Sequence, residues 1–101
     1  MQLTIIRLLR TQSSEQILLR RDKGDIGALD IHYSLNGHIR ATLILFDESG
    51  IKEPEVPALL TEIDEFLFPE ASIQDHNLSF TVVFGRVLGA FAPEQTTKKG
   101  N

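Results

Sequence analysis

The sequence contains no cysteine among its 101 residues. Without thiols the chain cannot form a disulfide, a thiolate nucleophile or a cysteine-based zinc site, so functions that depend on them are excluded. Folding therefore requires no oxidising compartment, and the chain is long enough to be stabilised by a hydrophobic core alone.

Long hydrophobic runs are also missing. Near the N-terminus Arg7 interrupts the apolar stretch from Leu3 to Leu9, and no basic segment precedes that stretch. This pattern supports neither a secretory signal nor a membrane span. We therefore expect a cytoplasmic protein that does not bind a membrane.

Basic residues are scarce in the middle third of the chain. Residues 41–75 hold nine acids against the single base Lys52, whereas the segments on either side each carry a net charge of +2, for a total of −4. Charge of one sign attracts basic partners and repels nucleic acid. The competing interpretation is a solvated helix face that serves only solubility.

Nucleic acid is not an expected partner. Arginine and lysine side chains near the N-terminus could form a basic patch. No aromatic side chain on which nucleobases could stack lies among them. The candidate patch consists of Arg7, Arg10, Arg20, Arg21 and Lys23.

The clearest local signal is a β-hairpin between Leu29 and Phe46. The dipeptide Asn36-Gly37 is typical of its turn. A two-residue turn would set the apolar side of one strand against the polar side of the other. A three-residue loop ending at Gly37 instead pairs Tyr33 with Ile39 and matches apolar to apolar side chains throughout. We therefore predict the longer loop, with the glycine in the left-handed region.

This register directs the polar side of the hairpin away from the core. His32 and His38 become diagonal neighbours, with Cα atoms expected about 7 to 8 Å apart, close enough to share a metal ion. No third ligand is evident, and a flat two-stranded face lacks the recess that catalysis needs. We assign no catalytic residue, metal or cofactor. The alternative polar surface consists of Asp30, His32, His38 and Arg40.

One amphipathic helix is predicted at about 54–68. Apolar residues recur there at spacings of three and four, and Pro69 disfavours helix at the residue before it. The apolar stripe comprises Val56, Leu59, Leu60, Ile63, Phe66 and Leu67. The acids that fall away from it, and would form a partner-binding face, are Glu55, Glu62, Asp64 and Glu65.

Two interpretations remain open for residues 14–23. Ser13 and Gln16 resemble a helix capping box, and basic residues before Gly24 suit a helix C-terminus, so we favour a second short helix. The alternative is a strand from Gln16 to Arg21 that pairs with the strand predicted at 2–10. The apolar triplet Ile17-Leu18-Leu19 is too short to distinguish a strand from a helix.

The last strand is predicted from Leu78 to Phe84. Its alternation points Leu78, Phe80, Val82 and Phe84 inward, but from Val82 onward both faces are apolar. Such a strand is either covered on both faces within a monomer or exposed as a site for a partner. Because one predicted helix is too little to cover two faces, we expect a homodimer that continues or stacks the sheet.

These elements predict an α+β fold. A small antiparallel sheet of three to four strands would carry the helix at about 54–68 on one face. The domain would span 1–92, and the polar segment 93–101, which has no apolar anchor, would be a flexible tail.

Three functions are compatible with these predictions. The first is a non-catalytic protein-interaction or regulatory module whose acidic helix face binds a basic partner. The second is a small enzyme or metal-binding protein that uses the alternative polar surface. The third is a structural homo-oligomer without a small ligand.

Overall fold

The computed structural model describes residues 3–22, 24–68, 77–86, 88–89 and 91–92. The tail predicted at the C-terminus lies outside these residues. No helix in the described part of the chain is both long and apolar enough to cross a membrane.

Five strands of the described residues form one sheet in the order of the sequence. They are β1 (Leu3–Arg10), β2 (Ser14–Arg21), β3 (Gly24–Tyr33), β4 (Ile39–Phe46) and β5 (Leu78–Gly85). Consecutive strands from β1 to β4 are antiparallel, whereas β5 is parallel to β4. The predicted α+β class is confirmed, but the prediction of three to four antiparallel strands is wrong.

The second short helix predicted at 14–23 is wrong, because residues 14–21 form β2. Burial alternates along this strand: Ile17 and Leu19 are fully buried, whereas Leu18 between them is only half-buried. The alternation is hard to see in the sequence because the third buried position of the strand is a glutamate, Glu15. Pairing with β1 on one side and β3 on the other overrides the weak helical signal.

The predicted hairpin is confirmed. Tyr33 pairs with Ile39 and His32 pairs with Arg40, as the three-residue loop requires. Gly37 ends that loop with φ +85°. A side chain in this left-handed region would be strained, which explains why glycine occupies the position.

The predicted helix at about 54–68 is also confirmed. A 3-10 turn at Glu53–Glu55 leads into α1 (Val56–Leu67). The helix buries Leu59 and Ile63 in the core, whereas Phe66, assigned to the apolar stripe, is 65 % exposed. Because α1 connects β4 to β5 as a crossover, it carries the chain back so that the two strands are parallel.

One face of the sheet, here called the inner face, packs against α1. Buried side chains of β2, β3 and β4 meet those of the helix there, and Phe68 lies against Phe80 of β5 with ring centroids 6.4 Å apart. The four β5 residues predicted to point inward lie on this face by register, but Phe84, opposite Leu45, is 44 % exposed. The sheet residues of the core are Ile17, Leu19, Ile26, Leu29, Ile31, Ala41, Leu43, Leu45 and Leu78.

Candidate functional site

An acidic surface follows β4. It runs through a 3-10 turn at Asp47–Ser49, the turn before α1 and the helix itself. Lys52 is the single base between residues 41 and 68, and within the described residues none of these acids forms an ion pair. We define the acidic surface by its exposed members, Asp47, Glu48, Glu53, Glu55, Glu62 and Glu65.

The acids predicted from the helix pattern are not equivalent. Glu62 and Glu65 are exposed on α1, one turn apart, where their charges face solvent. Glu55 is exposed too, but its Oε1 accepts a hydrogen bond from the Lys52 backbone N–H at 2.7 Å, so it also holds the turn that begins the helix. The sequence pattern did not identify Asp47, Glu48 and Glu53, because it considered only the residues predicted to be helical and facing away from the apolar stripe.

Asp64 differs from the other acids because it is half-buried. Its Oδ1 is shielded from solvent and has no hydrogen-bond partner among the described residues. Burial raises the pKa of Asp64, and the neighbouring charge of Glu65 raises it further. We therefore leave Asp64 out of the acidic surface.

The alternative polar surface lies on the face of the sheet opposite α1, here called the outer face. His32 and Arg40 are exposed and face each other across β3 and β4, while Asp30 lies opposite Thr42. His38 is half-buried, and its Nε2 lies 3.2 Å from Ser79 Oγ of β5. Within the described residues, no group of three or more histidines and acids is placed to hold a metal ion.

A buried carboxylate that the sequence analysis did not identify lies at one end of the inner face. Glu15 of β2 is 3 % exposed, and three side chains donate hydrogen bonds to it. Arg7 and Tyr33 each contribute one, and Arg10 Nη1 donates to Oε1 at 2.7 Å. The cluster thus joins β1, β2 and β3 through one carboxylate.

The electrostatics of this cluster favour the ionised carboxylate. Burial by itself would raise the pKa of Glu15, but the hydrogen bonds from Tyr33 and Arg7 and the charges of Arg7 and Arg10 outweigh burial, and the pKa is lowered. Burial and the adjacent carboxylate raise the pKa of the Tyr33 hydroxyl. The carboxylate is held ionised by two arginines and the phenol is held protonated, so the cluster combines structural ion pairs with a hydrogen bond and is not an acid–base pair poised near neutral pH.

The sequence contains a signal for this cluster, but the signal requires the strand register. Arg10 faces Glu15 directly, and a bulge at Leu8 shifts the register so that Arg7 also falls on the inner face. Once β2 is recognised as a strand, two arginines and an acid at these positions indicate an ion pair.

The outer face also carries an apolar row that crosses the entire sheet. The register aligns one apolar residue from each strand, and none of the five belongs to the core or packs against it. The apolar row consists of Ile6, Leu18, Ala28, Ile44 and Val83.

A comparison with known protein families, curated proteins and solved structures finds no match to this chain. The proposals that follow therefore rest on the chain's own residues.

Proposed function

We propose that this chain is a non-catalytic protein-binding module of the cytoplasm, and that it binds a basic protein through the acidic surface. The observation that supports this proposal is a set of six exposed carboxylates between residues 47 and 65 with no ion pair among the described residues. Carboxylates that form no ion pair within the described part of the chain are available to a partner.

The position of these charges suits recognition. Glu62 and Glu65 lie on a helix whose opposite side is fixed in the core by Leu59 and Ile63, so their backbone positions are rigid. A rigid surface of one sign steers a basic partner and increases the rate of association. It binds without the entropic cost of ordering a flexible segment.

The experiment compares two charge reversals of equal size. Glu62→Lys changes the acidic surface, whereas Asp22→Lys makes the same change in net charge at an exposed position of the turn between β2 and β3. Association with a panel of purified basic proteins, including a small basic ribonuclease, is measured by surface plasmon resonance at low salt and at about 0.15 M salt.

We expect Glu62→Lys to slow association with a panel member about tenfold at low salt, and Asp22→Lys to leave the rate close to that of the wild type. The difference should shrink as salt screens the charges. Equal rates for the two variants, or a panel in which no protein binds, would refute the proposal.

We also propose that the chain acts as a homodimer. Large apolar side chains are exposed on both edge strands: Leu8 and Leu9 of β1 are 60 % and 49 % exposed, and Val83 of β5 is 45 % exposed. Val83 is one end of the apolar row, so Leu8 and Leu9 together with the row form more apolar surface than scattered single residues would.

A further inference from the structure

We infer that the outer face of the sheet is the interface of the homodimer, with the apolar row at its centre. This inference rests on the proposed homodimer and specifies its surface, its partner and its symmetry. The partner is a second copy of the chain, stacked outer face to outer face.

The apolar row arises from the register of all five strands. Leu18 pairs with Ile6 on one side and Ala28 on the other, and Ile44 pairs with Ala28 and Val83. Neighbouring positions on one face of a sheet are close enough for their side chains to touch. The row is therefore a continuous apolar band perpendicular to the strands.

No part of the described chain covers this band. The single described α-helix packs on the inner face, and the partly buried apolar residues that support the core come from that side. Phe46 extends the apolar surface, because it follows Ile44 by two positions and shares its face. An antiparallel sheet with one solvated face ordinarily places polar residues there, so a band of this kind indicates a second layer.

The row is self-complementary. Ala28 lies on β3, the middle strand, and is the smallest residue of the row. A two-fold axis in the plane between two stacked sheets superimposes the row on its copy, whether the axis runs along the row or along β3. Such an isologous contact closes the assembly at two copies.

The size of the face also fits a dimer. Five strands of about eight residues span roughly 24 by 26 Å, or about 600 Å² in projection. A stable interface buries about 800 Å² per partner. Because corrugated side chains have more accessible surface than their flat projection, the outer face is close to the required area.

Charge distribution favours this face over the opposite one. The acidic surface begins at the end of β4 and continues along α1, on the inner side of the sheet, so stacking through the outer faces keeps two negative layers apart. The outer face itself is balanced, since Asp30 and Arg40 carry opposite charges and Arg20 is paired with Asp25 at 2.7 Å. Two such faces meet without net repulsion.

The experiment is sedimentation equilibrium of the full chain at several concentrations. The test variant Leu18→Lys/Ile44→Lys places two like charges at the centre of the row on each copy. Phe66→Lys is the matched control, because Phe66 is an exposed apolar residue on α1, away from the outer face. Far-UV circular dichroism and urea unfolding establish that each variant is folded.

We expect the wild type and Phe66→Lys to be dimers and the double lysine variant to be a folded monomer. If the lysines prevent folding, the milder variant Leu18→Gln/Ile44→Thr tests the interface instead. Its dimer dissociation constant should be at least about tenfold higher than that of the wild type.

Two results would overturn the inference, and they differ in whether they also refute the proposed homodimer. A wild type that is monomeric at every concentration would overturn both the interface and the proposed homodimer. A dimer that persists unchanged in the folded Leu18 and Ile44 variants would overturn the interface alone and point to pairing of edge strands. Neither result bears on the acidic surface.

Discussion

The guanidinium of Arg10 lies over the ring of Tyr33, with Cζ 4.9 Å from the ring centroid. The two residues belong to β1 and β3 and are not on adjacent strands, yet both donate hydrogen bonds to Glu15 on the strand between them. A cation over an aromatic face is attracted to it, and the shared carboxylate fixes the geometry. The edge strand β1 is thereby anchored to the middle of the sheet.

We expect Glu15→Ala to lower the free energy of unfolding by about 2 to 3 kcal/mol, because the change removes the charged acceptor of three hydrogen bonds. Urea denaturation at pH 7 measures the loss. Glu62→Ala, at an exposed position of α1, is the matched control and should change stability by less than about 0.5 kcal/mol. A loss at Glu15 no greater than that of the control would show that the cluster does not stabilise the fold.

The contribution of Glu15 should depend on pH. Its pKa is lowered in the folded chain, so the stability gained from its charge is present above the unfolded pKa of about 4.3 and is lost as pH falls through the folded value. The difference in unfolding free energy between the wild type and Glu15→Gln should therefore be constant near neutral pH and shrink in acid. A difference that is independent of pH down to acid unfolding would contradict the lowered pKa.

Removing the half-buried carboxylate of Asp64 should stabilise the protein. Burial raises the pKa of Asp64, so its ionised form is disfavoured in the folded state, and Asp64→Ala should raise the free energy of unfolding at pH 7 by about 0.5 to 1 kcal/mol. The pH dependence is opposite to that of Glu15, because the pKa of Asp64 is raised and that of Glu15 is lowered. The stability gained by removing the Asp64 carboxylate should be greatest above its folded pKa and disappear as pH falls below its unfolded pKa of about 3.9. Glu62→Ala, an exposed change on the same helix, controls for helix propensity. A destabilised Asp64→Ala variant would mean that the buried oxygen has a partner.

Gly27 and Gly37 should differ in how much they tolerate a side chain. A Cβ at Gly27 would lie 2.6 Å from the backbone oxygen of Ile44, whereas one at Gly37 would meet nothing within 4 Å but would be strained by its φ of +85°. We expect Gly37→Ala to cost about 1 to 2 kcal/mol and Gly27→Ala more, because backbone must move. Thermal unfolding of both variants measures which substitution costs more stability. Equal losses would indicate that β3 and β4 separate at little cost.

Phe66 and Phe68 lie two residues apart and provide a matched pair. Phe68 is 5 % exposed and contacts Phe80, whereas Phe66 is 65 % exposed. Phe68→Ala should lower the free energy of unfolding by about 3 to 4 kcal/mol through lost burial and a cavity. Phe66→Ala should change it by less than about 0.5 kcal/mol. A small effect at Phe68 would show that the end of α1 is not packed on β5.

Local sequence patterns predicted the secondary-structure elements that are determined by one short stretch of the chain. The hairpin follows from the turn at Asn36 and Gly37 together with side-chain alternation on both strands, and the helix follows from its apolar spacing. Each of these signals involves residues that are close in sequence.

The tertiary structure decided everything that depends on pairing between distant segments. Residues 14–21 form a strand because they pair with β1 on one side and with β3 on the other. Strand β5 is parallel to β4 because the chain crosses over between them through α1. The ion cluster of Glu15 and the apolar row of the outer face exist only once the register of adjacent strands is known. The physical reason is that one strand determines which of its side chains share a face, whereas the neighbours of those side chains are determined by hydrogen bonding between strands.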